Sequence, residues 1–255
     1  MEEKIFYESG NKLKLCGIIN RANTYKIVIM CHGIRGNKDE CGSYVDLANE
    51  LNKNGYSSFR FDFDGHGESE GLDKDMTISK EIVDLESTIK MLQSIGYTEY
   101  VLVGGSFGAS IVSLFPYNKF DCIKGVVLWY GALNYDYIRY GNLFTEENKN
   151  IAKEHGFYIS RSMHGGKEFK FGIDLFDEVD SFKPYEEIQK CSLPKLFVHG
   201  DKDEAVPYKL SEEVSKKCIN SRFVLIENGA HTFQNSTDAI KKAVDATVDF
   251  INEIL

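Results

Sequence analysis

The stretch Tyr100-Val101-Leu102-Val103-Gly104-Gly105-Ser106-Phe107-Gly108-Ala109-Ser110-Ile111-Val112-Ser113-Leu114 changes character in its middle. Residues 100–103 are apolar and β-favouring, as in a strand with both faces buried, and residues 109–114 can start a helix. Between them stands G-x-S-x-G, with glycines two positions before and two positions after Ser106. A side chain presented on a sharp strand-to-helix turn needs those glycines, because the backbone is strained and crowded there. Ser106 is then exposed at the C-terminal edge of a sheet, over a helix N-terminus that favours developing negative charge. The pattern alone is weak; the strand before it and the helix after it supply the context.

The flanking sequence continues the alternation. Short apolar runs at residues 27–31, 57–63, 126–130 and 196–199 read as buried strands, and residues 223–226 as a last strand. Helical spacing occupies residues 44–54, 78–95, 207–218 and 237–254. The second of these follows Thr77, carries Ile82, Leu85, Ile89 and Leu92 on one face, and stops at Gly96. Residues 4–7 and 13–19 alternate around Ser9-Gly10-Asn11, which predicts an antiparallel hairpin closing one edge. Together these runs predict an α/β fold, a mostly parallel eight-stranded sheet with helices on both faces. The alternation fails between Tyr130 and Lys195. Residues 133–182 read as an insertion with short elements, leaving residues 1–132 and 183–255 as the core. Ten of those fifty inserted residues are Tyr or Phe, against 13% aromatic residues in the whole chain, so the insertion is aromatic-rich.

Composition removes several function classes. With 42% apolar and 27% charged residues, the 255-residue chain can build a sizeable core, which excludes a disordered or low-complexity protein. A net charge of −9 leaves no basic footprint for nucleic acid and is repelled by anionic membrane. The apolar runs fall far short of the ~20 residues needed to cross a bilayer. The charged start, Met-Glu-Glu-Lys, has no apolar signal-peptide region. The cysteines at 16, 31, 41, 122, 191 and 218 form no CxxC and no metal-ligand spacing, so they read as reduced, small apolar residues in a cytoplasmic protein.

A serine at neutral pH needs a base to become a nucleophile. Of six histidines, His231 lies in Gly229-Ala230-His231, in the loop between the last strand and the last helix, again at the C-terminal edge of the sheet. His32 and His199 end strands in His-Gly pairs and read as loop-shaping. His66 sits in a glycine-rich turn, and His155 and His164 fall in the insertion. The base needs an orienting carboxylate, and Asp201, Asp203 and Glu204 all compete in the loop after residues 196–199. The order serine, acid, histidine holds for each of them. Two backbone N–H groups are needed for an oxyanion; Phe107, following the serine, and Ile34, in His32-Gly33-Ile34-Arg35-Gly36, are the candidates.

These motifs, with Asp62-Phe63-Asp64-Gly65-His66-Gly67-Glu68-Ser69 and His199-Gly200-Asp201-Lys202-Asp203-Glu204-Ala205-Val206-Pro207, resemble those of the α/β-hydrolases over nearly the whole chain. Within that fold the chain is similar to small bacterial cinnamoyl (feruloyl) esterases and to their serine-aminopeptidase-like and monoglyceride-lipase-like relatives. The resemblance places the catalytic acid on Asp203 and an oxyanion donor on Ile34. It implies a serine carboxylic-ester hydrolase acting on a small-molecule ester without metal or organic cofactor. The insertion then becomes a cap, with Tyr135, Asp136 and Tyr137 facing the pocket, where rings can stack on an aromatic acyl group. Two departures bear on acyl preference: Gly105 replaces the His more usual before the nucleophile, and Phe107 replaces a Gln or Met often found after it. The alternatives are an aminopeptidase-like amide hydrolase, with Asp174, Asp177, Glu178 and Asp180 as an amine-binding patch, a thioesterase, and a non-catalytic ligand receptor on the same fold. A homodimer is compatible with the sequence.

Overall fold

The computed structural model describes residues 2–138, 143–160, 168–233 and 235–255, apart from the side chains of residues 137 and 138. The predicted hairpin is β1 (Glu2–Glu8) and β2 (Lys14–Asn20), paired antiparallel. It is followed by β3 (Lys26–Cys31), α1 (Ser43–Lys53), β4 (Ser57–Asp62), α2 (Ile78–Ser94), β5 (Glu99–Gly105), α3 (Phe107–Leu114) and β6 (Ile123–Trp129). Next come α4 (Tyr135–Ile138), α5 (Glu146–His155), β7 (Phe157–Ser160), β8 (Phe169–Gly172), α6 (Ile173–Ser181) and α7 (Pro184–Lys190). The chain closes with β9 (Lys195–Gly200), α8 (Tyr208–Lys217), β10 (Ser221–Ile226) and α9 (Thr237–Ile254).

Eight strands form one sheet in the order β1-β2-β4-β3-β5-β6-β9-β10, parallel from β4 onward. The continuous apolar runs are explained by the pleat, which sends successive side chains to opposite faces that are both covered. Ile27, Ile29 and Cys31 of β3 join Leu102, Leu128 and Phe197 in a core with α2, α3 and α8. Val28 and Met30 join Val101, Val103 and Val198 in a second core with α1 and α9. The helices start where their caps stand: the Thr77 and Ser236 hydroxyls accept from the Lys80 and Ala239 N–H groups.

Because β4 and β5 flank β3 on opposite sides, the strand order reverses there, and the loops leaving the C-terminal ends of the strands meet above the reversal. The segment between β6 and β9 has the short elements its sequence suggested: three helices, the antiparallel pair β7–β8, and α7, a two-turn helix just beyond the predicted insertion. Its rings pack on one another, Phe144 lying 5.7 Å from Phe176 and 6.3 Å from Phe171. Among the described residues no helix is long and apolar enough to cross a membrane.

Candidate functional site

The turn at the end of β5 holds Ser106 at φ +52° and ψ −116°, a conformation side-chain-bearing residues rarely adopt. The turn is closed by the Ser106 N–H donating to the Trp129 carbonyl (3.0 Å), while the Ser106 carbonyl accepts from Ala109 (3.1 Å) and Ala132 (3.0 Å). The glycines on either side are required by contact. A Cβ at 104 would lie 2.5 Å from the Gly108 oxygen, and one at 108 would lie 2.1 Å from the Cys31 oxygen. The second approach lets α3 start directly against the end of β3.

His231 follows β10, and its Nε2 lies 3.1 Å from Ser106 Oγ. Its Nδ1 lies 2.7 Å from Asp203 Oδ2 in the loop after β9. An ionised carboxylate only accepts, so Nδ1 carries the proton and Nε2 presents its lone pair to the serine hydroxyl. Burial alone would raise the Asp203 pKa. The hydrogen bonds from His199 and His231 outweigh it and hold the carboxyl well below the usual range. Its other oxygen accepts from the N–H groups of Ala205 (2.9 Å) and Val206 (2.8 Å). Of the three competing acids, Asp203 meets the imidazole. Asp201 instead accepts from Asn228 N–H (2.6 Å), and Glu204 is exposed.

Residues 22–183 match the model of the family described as serine aminopeptidase, S33, and residues 177–249 match that of TAP-like proteins. The chain belongs to the S33 family of α/β-hydrolases. No curated protein matches it in sequence. Solved structures share its fold. Ferulic-acid-bound Est1E from Butyrivibrio proteoclasticus is 24% identical with a TM-score of 0.83, 98% of each chain being covered. The α/β-hydrolase domain-containing protein 10 from mouse is 20% identical with a TM-score of 0.80, over 99% of this chain and 100% of that one. An esterase from Pyrococcus furiosus is 18% identical with a TM-score of 0.74, over 100% and 91%.

Within this S33-family hydrolase, the loop after β3 arches over the serine: a Cβ at Gly33 would lie 3.0 Å from Ser106 Cβ. Among the described residues, no protein group accepts from the N–H of Ile34 or Phe107. The loop is fastened from below by Glu40, a residue sequence reasoning missed. Its carboxyl accepts from Gly33 N–H (2.9 Å) and from the Tyr130 hydroxyl (3.2 Å), and the Tyr130 ring stands 4.9 Å from the His231 ring. Burial pushes the Glu40 carboxyl up to about 7, opposed by the Gly33 N–H, His231 and Tyr130. The same cluster accounts for Gly105, since a Cβ there would lie 2.9 Å from both the Tyr130 and Tyr44 hydroxyls. A side chain there would have to displace both hydroxyls.

The histidines divide otherwise as expected, with one correction. His32 shapes its loop, donating from Nδ1 to the Gly33 carbonyl and accepting from Phe63 N–H. His66 donates to the Asp64 carbonyl within its turn. His199 does more than end a strand: its Nε2 meets Asp203 Oδ2 at 3.1 Å and the Val206 carbonyl at 3.0 Å, while the Ser211 hydroxyl sits 2.8 Å from its Nδ1. His164 lies outside the described residues. The Asp62–Ser69 motif is structural. Asp62 accepts from both the backbone and Nζ of Lys38 (2.6 and 2.8 Å) and from Glu68 N–H (2.9 Å), tying the end of β4 to the loop over Ser106. Cys16, Asp62 and Glu68 bring ligand atoms together, and Lys38 Nζ supplies the cation between the two carboxylates.

Of the three residues proposed to face the pocket, Tyr135 is buried, its ring 5.8 Å from Phe107, and its hydroxyl has no hydrogen-bond partner among the described residues. Asp136 is exposed. The Tyr137 side chain lies outside the described residues. Three of the four acids offered on α6 are engaged elsewhere: Asp177 and Asp180 each lie 2.7 Å from Lys149 Nζ, and Glu178 accepts from Ser79 N–H at the start of α2. Asp174 is exposed.

Proposed function

We propose that this chain is a serine hydrolase of carboxylic esters that works through an acyl-enzyme. The observation that carries the reading is the continuous relay Ser106 Oγ, His231 and Asp203, at 3.1 and 2.7 Å, with the imidazole tautomer turned the right way for a base. In this reading His231 Nε2 takes the Ser106 proton as Oγ attacks the ester carbonyl. The tetrahedral oxyanion accepts from the Ile34 and Phe107 N–H groups. Asp203 holds the imidazolium, which gives its proton to the departing alkoxide. Water activated by His231 then releases the acid and restores the serine. The chemistry uses side chains and backbone donors alone.

The segment at residues 133–182 serves as a cap over this centre, and Tyr135, with Asp136 and Tyr137, contacts the acyl group. The support is the Tyr135 ring against Phe107 and its buried hydroxyl without a partner, a group that costs about 1–3 kcal/mol unless something polar meets it. A phenolic acyl group would meet both needs. The test is hydrolysis of short and long p-nitrophenyl esters, methyl ferulate and an aminoacyl anilide by wild type and Ser106→Ala. Ester turnover should fall by about three orders of magnitude or more in the variant. Equal rates for the two proteins would remove Ser106 from the chemistry, and turnover of the anilide alone would make the chain an amide hydrolase.

A further inference from the structure

Ile34 and Arg35 are the two central residues of a turn closed by Gly36 N–H donating to the Gly33 carbonyl at 2.9 Å. Arg35 takes φ +62°, the position such a turn usually gives to glycine. An arginine kept in a strained conformation, two residues from the backbone that touches Ser106, calls for a reason beyond the turn. Its side chain is exposed. Nη1 donates to Ser160 Oγ on β7 at 3.0 Å, a neutral partner that is itself buried. Residue 160 pairs with Phe169 across the β7–β8 sheet, and the Phe169 ring lies 5.0 Å from His66. The guanidinium therefore sits between the loop over the serine and the inserted segment.

No carboxylate neutralises it. The other three arginines among the described residues are each paired with acids: Arg21 with Glu3, Arg60 with Glu2 and Asp39, and Arg222 with Glu253. All 39 Asp and Glu residues of the chain are described, and none lies within ion-pair distance of Arg35. An exposed guanidinium with one N–H donor held by Ser160 and no acid beside it, in a chain with nine excess negative charges, keeps its remaining donors open to an arriving anion. A mere latch between loop and segment would be better served by an acid at position 160 than by a serine.

We propose that Arg35 receives a carboxylate of the substrate, so that the esters this site prefers are anionic, with the charge a short chain away from the scissile carbonyl. The proposal rests on the serine-hydrolase reading above. The planar fork of Arg35, with one of its five N–H donors on Ser160, matches a carboxylate held side-on, and binding there aligns the ester with the neighbouring Ile34 N–H. The charge can belong to the acyl group, as in a dicarboxylic monoester, or to the alcohol.

The experiment compares kcat/KM within two matched pairs, monomethyl adipate against methyl hexanoate and 4-acetoxybutyrate against butyl acetate, for wild type, Arg35→Gln and Arg35→Lys. Wild type should favour the charged member of one pair, the pair identifying which side carries the charge, and the preference should shrink with added salt. Arg35→Gln should lower kcat/KM on that member by about ten- to hundred-fold while leaving the neutral member within about two-fold. Arg35→Lys should keep part of the preference. A wild-type preference for the neutral member of both pairs overturns the proposal without needing any variant to fold. So does an equal loss on both members in Arg35→Gln, which marks a turn-holding role. A fluorophosphonate probe separates the two readings. Labelling of Ser106 without a charge preference removes the Arg35 proposal alone, whereas no labelling removes the serine-hydrolase reading beneath it.

Discussion

Asp203 Oδ2 accepts from two imidazoles, His231 at 2.7 Å and His199 at 3.1 Å, and the two do different things to it. The bond to His231 aligns the base. The bond from His199 draws on the same oxygen and so weakens the pull of Asp203 on the His231 imidazolium. Removing it leaves the carboxylate more basic and the imidazolium better stabilised. His199→Leu, which keeps no donor, is therefore expected to move the acid limb of the kcat/KM profile to higher pH. A pH profile of wild type and variant checks this; a role in folding alone would lower the whole profile without moving its limb. The residue scale is also where the sequence was least sufficient. Asp201, Asp203 and Glu204 are equivalent by spacing, and Asp203 is distinguished by reaching a histidine 28 positions away. Glu40 meets Tyr130 from 90 positions away. Such partners have no local signature.

At the scale of elements the sequence was far more legible. Continuous apolar runs marked the strands buried on both faces, alternation marked the edge hairpin, and a period of 3.6 marked the long helices, because each element buries one face or both. Thr77 and Gly96 bounded α2 as caps and stops do. What was hidden were the short pieces: α7 has only two turns, with Pro184 and Ile188 buried, too few for a periodicity to show. The junction of β5 and α3 shows how closely elements approach. Gly108→Ala places a methyl group against the Cys31 and His32 carbonyl oxygens, 2.1 and 2.5 Å away, and neither can give without moving β3. The expected loss is about 3 kcal/mol. Thermal melts would register it, and the rate of fluorophosphonate labelling would report the displaced serine. An unaltered melting temperature would mean that the α3–β3 contact is looser than described.

For the molecule as a whole, pH acts through buried groups on the α2 side of the sheet. Burial, with Asp84 nearby, pushes the Asp64 carboxyl up to about 7, burial holds Asp84 at about 6, and burial raises Glu81 well above its ordinary value. Asp64 Oδ2 and Glu81 Oε2 have no hydrogen-bond partners among the described residues. For a carboxyl raised this way the folded state keeps a proton that the unfolded chain releases. Its contribution is intact below the ordinary value and is lost as pH rises through about 7. Asp64→Asn should therefore stabilise the protein at pH 8 by at least about 1 kcal/mol and have little effect near pH 4. Burial acts the other way on His32 and His66, lowering them to about 4 and about 3, so their contribution is lost as pH falls from about 6.5 through those values. Denaturant titrations of wild type and Asp64→Asn at both pH values measure the difference, and a gain that does not depend on pH would exclude ionisation as its source.

By itself the sequence determined the order and type of the main elements, the edge hairpin, the strand-to-helix turn at Ser106 and the break in the strand–helix alternation after β6. All of these are written in neighbouring residues or in a period along one segment. The tertiary structure alone decided which acid faces His231, what crowds position 105, what fastens the loop over Ser106 and which of the described arginines is left without a counter-charge. Those depend on distances between strand ends, which exist only once the sheet reverses its order at β3 and brings its C-terminal loops together.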